Sequence, residues 1–318
     1  MKRYTHMPVD RRSAGFTLVE LLVVIAIIGL LIAIALPGFR GARIAAKKTA
    51  TQAVIASIEA GLQQYREERA LGNTYPPSAS DSVRDGDGFT LIKDPVETSG
   101  ADVRITGASL IVYGLAGADL QGTRGFKRVS GYSTWAESMN AESTSKGLYD
   151  PTISPPWPDY GPFVGANALD RVEFLVGLEK FPIGSLDFPL TAQEQVQRVF
   201  VDDFGGPILY YRARPAAKRM VTQPGVAIGV YDFRDNMQLT RYEGSRLRTT
   251  RYFQQADFGA EGAFDGFILD EKASPRIGPD ETDPVAIDRP VNPDDCLLIS
   301  AGPDLLFGTQ DDVVNWTK

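Results

Sequence analysis

Two residue types with wide catalytic and cross-linking use are almost missing. The chain of 318 residues has one histidine and one cysteine. His6 lies near the amino terminus, so the remainder cannot build a Ser-His-Asp or Cys-His arrangement or a His-ligated zinc site. That removes a large share of enzyme mechanisms. A lone Cys296 allows no intramolecular disulfide. The position suits a small buried apolar residue, and Asp294 and Asp295 beside it would raise its pKa rather than activate it. Positive charge is in deficit too, with 33 Lys and Arg against 40 Asp and Glu and a net charge of -7. Lys2, Arg3, Arg11 and Arg12 crowd the amino end against Asp10, so the rest is more acidic still. An acidic body does not attract nucleic acid by net charge, and no nucleic-acid partner is expected. Apolar content of 43% is that of a folded protein and excludes wholesale disorder.

Long hydrophobic runs are scarce, with one exception. Gly15 to Pro37 reads G-FTLVELLVVIAIIGLLIAIAL-P, and Glu20 is its only charge. As a helix, Phe16 to Leu36 spans about 30 Å, the thickness of a bilayer's hydrocarbon core. A removable secretory signal has a shorter apolar region and a small-residue exit; this run ends in Leu36-Pro37-Gly38-Phe39. A carboxylate inside an apolar helix is costly in lipid and implies a partner for Glu20. The basic residues before the run keep the amino terminus cytoplasmic, which puts the body across the membrane.

Arg11-Arg12-Ser13-Ala14-Gly15, then Phe16-Thr17-Leu18-Val19-Glu20, then the apolar run ending at Pro37, resembles the class III signal of type IV pilins and type II secretion pseudopilins. The resemblance implies that a prepilin peptidase cuts between Gly15 and Phe16 and that Phe16 is then N-methylated. It implies an assembly role for Glu20, pairing with the Phe16 amine of an adjacent subunit, and for Pro37. Charge pairs of this kind set register more than they stabilise. Ala26, Gly29, Ala33 and Ala35 would let helices approach closely.

Beyond Pro37 the helical pattern continues. Val54, Ile55, Ile58, Leu62 and Tyr65 fall on one helix face. Gly72-Asn73 and Pro76-Pro77 stop the helix, which predicts a helix of about 50 residues kinked near Pro37 and Gly38. Asp81, Asp85 and Asp87 fail the EF-hand spacing and read as a solvated loop. Ala108 to Leu115 is a buried strand or a short helix. Proline clusters around Trp157 in a surface-packed insertion. Val201 to Arg212 predicts a Gly205-Gly206-Pro207 turn followed by a strand, and it resembles a pseudopilin turn with Phe204 in place of Trp. Val226 to Phe233 is expected as another strand. The basic residues Arg241, Arg246, Arg248 and Arg251 are compensated by the acidic residues after them.

At the carboxyl end, a strand at Asp295–Ser300 runs into a glycine-bearing loop with Asp304, Asp311 and Asp312. Calcium takes six to eight oxygens in flexible geometry, and carboxylates gathered at a loop repel one another unless a cation relieves them. The segment resembles the calcium loop of the major pseudopilin. That resemblance implies Ca2+ held by Ser300, Asp304, Asp311, Asp312 and a backbone carbonyl near Leu298. The family's glycine after the first aspartate is Leu305 here, a residue that disfavours φ > 0. Leu115 to Thr123 echoes Ser300 to Thr309 and reads as a shared turn.

These observations predict an α+β protein. Residues 1–15 form a leader, 16–37 a transmembrane and assembly helix, and 38–71 its amphipathic continuation. Residues 72–318 form a globular head with an antiparallel sheet laid on that helix, and 296–316 form the calcium-loop-like segment. The head is larger than that of a typical major pseudopilin. The expected function is a non-enzymatic structural subunit of a type IV filament, most of all a type II secretion pseudopilin in protein transport. Its expected partners are other pilin subunits, prepilin peptidase and an inner-membrane assembly platform. Its expected location is the inner membrane with the head periplasmic. A minor subunit or surface adhesin gripping a ligand is the alternative reading. An anchored enzyme working with carboxylates alone is a third.

Overall fold

The computed structural model describes residues 17–71, 73–78, 105–117, 120–123, 160–181, 197–214, 230–240, 264–268, 270 and 290–317. The chain divides into two compact units, residues 1–46 and 47–318. Helix α1, Leu18–Glu67, runs through both and is assigned without interruption across Pro37. Its 50 residues match the length the apolar pattern and the Gly72-Asn73 stop predict.

In the first unit, every described apolar side chain from Leu18 to Ile34 is exposed. Among the described residues this is the one helix long and apolar enough to cross a membrane. A helix apolar on all sides and covered on none needs lipid or neighbouring helices around it.

In the second unit, α1 buries Val54, Ile55, Ile58, Leu62 and Tyr65 on one face. Gly61 sits on that face because there is no room for more. A Cβ there would lie 2.8 Å from both the Phe163 carbonyl oxygen and Val164 Cγ1. Against this face lies a three-stranded antiparallel sheet, β3 (Ile208–Arg212), β4 (Cys296–Ser300) and β5 (Val313–Val314), in the order β3-β4-β5. β3 and β4 pair from Ile208 opposite Ser300 to Arg212 opposite Cys296. A smaller two-stranded sheet joins β1 (Val172–Phe174) to β2 (Arg198–Phe200).

The central sheet is buried on both faces. Ile208, Tyr210, Cys296, Leu298 and Val313 join the α1 core. The alternate residues Leu209, Tyr211, Leu297 and Ile299 join a second core with Val199, Val201, Phe264 and Phe307. Two-sided burial explains why the β4 sequence CLLIS lacks polar alternation.

Ala108 to Leu115 resolves as helix. Helix α2, Gly107–Leu115, is capped by the Thr106 side chain, which accepts from the Ser109 amide, and every one of its residues is buried. Gly107 lets it touch β3, since a Cβ there would meet the Tyr210 carbonyl oxygen at 2.2 Å. The short helices α3 (Ala166–Leu169), α4 (Met237–Thr240) and α5 (Phe264–Phe267) fill the remaining gaps.

The strand expected at Val226 to Phe233 is not there in its described part. Phe233–Asn236 is a 3-10 turn leading into α4. The reason is polar: the Asp235 amide bonds back to the Asp232 carbonyl at 3.1 Å. Asn236 is also pinned between α2 and β3, accepting from the Ala108 amide and donating to the Tyr210 carbonyl, both at 2.8 Å. Residues 226–229 lie outside the described residues, as do the loop around Asp81, Asp85 and Asp87 and the arginines 241–251.

Candidate functional site

Gly15 and Phe16, the expected processing pair, lie outside the described residues. The described chain opens at Thr17, and there Glu20 has a local partner. Thr17 donates to Glu20 Oε2 through its amide at 2.9 Å and its hydroxyl at 2.7 Å, and the Glu20 amide donates back to Thr17 Oγ1 at 3.2 Å. This reciprocal pair is a capping box closing the first turn of α1. It shows how an isolated subunit satisfies Glu20 while the residue stays exposed at the end of an apolar helix.

The carboxyl-terminal loop has three left-handed residues, Gly302, Leu305 and Gly308. Gly302 has φ 67° and Leu305 has φ 59°. Gly302 admits no side chain, since a Cβ would lie 2.5 Å from the Asp311 carbonyl oxygen. Leu305 takes the glycine-like conformation that its sequence disfavours. The same geometry recurs at the echo: Gly117 and Leu120 have φ 81° and 64°. In both loops the leucine amide bonds to the glycine carbonyl, at 3.4 Å for Leu120 and 3.3 Å for Leu305. The described residues Gly117 and Leu120 thus share the backbone conformation and hydrogen bond of Gly302 and Leu305.

Within the loop the expected ligands separate into two groups. Asp304 and Asp311 are close enough for their charges to interact. The Asp304 carboxyl is pushed up by desolvation and by Asp311, against the downward pull of the Leu306 amide. The Thr309 hydroxyl touches the Asp311 carboxylate. The other expected ligands are engaged elsewhere. Asp312 accepts from the Gly308 amide at 2.8 Å and the Thr309 amide at 3.2 Å. The Leu298 carbonyl accepts from the Asn315 amide at 3.3 Å. The Ser300 hydroxyl donates to Asp202 Oδ2 at 2.5 Å. Among the described residues, no three Asp, Glu, His or Cys side chains gather closely enough to hold a metal.

Asp202 is the residue that sequence reading missed. Its side chain is buried. Oδ1 accepts from three successive amides, Phe204 and Gly205 at 2.8 Å and Gly206 at 2.9 Å. Oδ2 holds Ser300, whose hydroxyl in turn accepts from the Gly302 amide at 3.2 Å. Burial pushes this carboxyl up, and the hydrogen bonds it accepts partly offset that. The turn it organises also meets α1. Lys47 donates to the Asp203 carbonyl and lies 5.2 Å from the Phe204 ring centroid. Thr51 accepts from the Asp203 amide at 3.2 Å. One continuous set of hydrogen bonds thus runs from the start of the carboxyl-terminal loop to the head portion of α1. The Asp-x-x-Gly-Gly spacing was visible in the sequence; its partner Ser300, 98 positions on, was not.

Cys296 is buried as expected, and burial first, then Asp295, pushes its thiol up.

A leader-like basic segment, a capped apolar helix exposed on all sides and an α+β head define the class of protein. Residues 10–36 match the family described as the prokaryotic N-terminal methylation motif. The match covers the amino-terminal segment alone, and it indicates a type IV pilin-like prepilin signal there, which the apolar helix fits. No curated protein and no solved structure matches the chain.

Proposed function

We propose that this protein is a type II secretion pseudopilin: a non-catalytic subunit cut between Gly15 and Phe16, methylated on Phe16 and polymerised through α1. The carrying observation is the methylation motif leading directly into an unbroken apolar helix that its own chain leaves uncovered. In the filament, Glu20 would exchange its Thr17 capping partners for the Phe16 amine of a neighbour, so processing would create the group that assembly uses. The head would face the periplasmic side, consistent with the cations that precede the run. The acidic carboxyl-terminal loop supports the pseudopilin reading over a plain pilin.

The expected result is a mature protein whose first residue is N-methylated Phe16, read by intact-mass and peptide mass spectrometry. An intact leader would sink the proposal. Glu20→Ala should remain in the membrane but fail to enter filaments; normal incorporation would remove Glu20 from assembly.

We further propose a calcium ion at the carboxyl-terminal loop. What supports this reading is the nearness of the Asp304 and Asp311 carboxylates in one loop, where desolvation first and then the Asp311 charge push the Asp304 carboxyl up. Asp304, Asp311 and loop carbonyls would hold the ion, which would neutralise the two charges and fasten the loop. Ser300 and Asp312, already bonded elsewhere, would position the loop rather than bind the ion.

A further inference from the structure

The apolar run of α1 gives way to an uncompensated cationic stretch. Between Glu20 and Glu59 the sequence has no acidic residue, and its only charges are Arg40, Arg43, Lys47 and Lys48. Lys47 is engaged within the head unit, against the Asp203 carbonyl. Arg40 and Arg43, in the first unit, are exposed and have no hydrogen-bond or ion-pair partner among the described residues. They stand three positions apart on a continuous helix and so share a face. Nothing else among the described residues packs beside them: at Gly38 and Gly41, on either side of Arg40, no heavy atom other than the chain neighbours and the helix's own backbone lies within 4 Å of where a Cβ would stand. Phe39 beside them is 70% exposed.

Depth along the helix gives this face its meaning. With Leu36 at the end of the hydrocarbon run, Arg40 lies about 6 Å further along the axis and Arg43 about 10 Å. The headgroup layer begins at the edge of the hydrocarbon and is roughly 5–7 Å thick. Long arginine stems reach back towards that layer with the charged end kept at the interface, and an aromatic ring at the same level is a common interfacial anchor. A guanidinium matches phosphate oxygens in a fork that a lysine cannot reproduce.

We propose that Arg40 and Arg43 bind the phosphates of anionic phospholipid headgroups and hold α1 at a fixed depth in the bilayer before assembly. The inference rests on reading α1 as membrane-spanning. It holds for either orientation of the chain, because one leaflet's headgroups meet these residues in both. Binding would set how far Phe16 to Leu36 is inserted, and the contact would have to be released when the subunit leaves the membrane.

The test uses the full chain, extracted in mild detergent and studied by native mass spectrometry with phosphatidylglycerol or phosphatidylcholine added. Phosphatidylglycerol should remain bound and phosphatidylcholine should not. The double variant Arg40→Gln/Arg43→Gln should lower the fraction carrying phosphatidylglycerol by about tenfold or more. Equal retention of the two lipids, or unchanged phosphatidylglycerol binding in the double variant, overturns the proposal. If the arginines instead meet the acidic surface of a second copy, the double variant shifts the monomer–dimer ratio with lipid binding unchanged, which also overturns it. The same intact masses report leader removal separately. Selective lipid binding by a chain that keeps its leader would sink the processed-pseudopilin reading and leave this one standing.

Discussion

At the scale of single residues, two carboxylates carry opposite lessons. Glu20 is conspicuous because one charge interrupts an apolar run, and it is exposed and held by Thr17 in a capping box. Asp202 is inconspicuous, one aspartate beside another in an acidic chain, yet it satisfies three turn amides and the Ser300 hydroxyl. Asp202→Ala should cost about 3 kcal/mol, because it strands buried donors. Asp202→Asn keeps an acceptor for the amides and should cost less. The pH dependence follows from the raised native pKa. The carboxyl's contribution to stability is full below its unfolded value of about 3.9 and is lost as pH rises through the native value. Wild type should therefore lose stability relative to Asp202→Asn between about pH 4 and a pH above the raised native value. Urea midpoints of both proteins at the two pH values measure this, and parallel curves would contradict it.

At the scale of elements, steric room decides as much as hydrophobic pattern. Gly61→Ala would ordinarily gain about 1 kcal/mol of helix propensity. Here the new Cβ would meet Phe163 and Val164 at 2.8 Å, and overpacking of that kind costs about 1–3 kcal/mol. The steric term wins because one of the two neighbours is backbone and cannot rotate away. The variant should melt at a lower temperature; a higher one would show that the 163–164 segment yields. The loop after β4 obeys a similar constraint. It places Gly302 and Leu305 in left-handed backbone, and the strain at Leu305 is tolerated where Asp304 and Asp311 face one another. Calcium should raise the melting temperature of the protein, a chelator should reverse the gain, and Asp304→Ala should abolish the calcium response. A melting temperature indifferent to calcium in the wild type would remove the ion from this loop.

Across the whole molecule, sequence and tertiary structure divided the decisions by range. The sequence alone determined α1, because helix periodicity, a run of apolar residues and a Gly-Asn stop are all local signals. It determined the class of protein for the same reason: Gly15, Phe16, Glu20 and Pro37 lie within one short window. It also foresaw the 208–212 and 296–300 strands, where continuous apolar residues meet a Gly-Gly-Pro turn or a loop. The fate of Ala108 to Leu115 was undetermined, since an apolar run buried on all sides has no period to read; Asn236 and the bare Gly107 made it a helix against β3. The failed strand near Phe233 has the same cause, a polar anchor supplied by contacts far away in the chain. Tertiary structure also sorted the acidic residues of the carboxyl-terminal loop. Spacing could gather Ser300, Asp304, Asp311 and Asp312 as one ligand set, but only folding showed Ser300 bound to Asp202 and Asp312 bound to backbone amides. A carboxylate's role depends on which donors come within about 3 Å of it, and for Asp202 the donor that ties it to the carboxyl-terminal loop, the Ser300 hydroxyl, comes from 98 positions further along the chain.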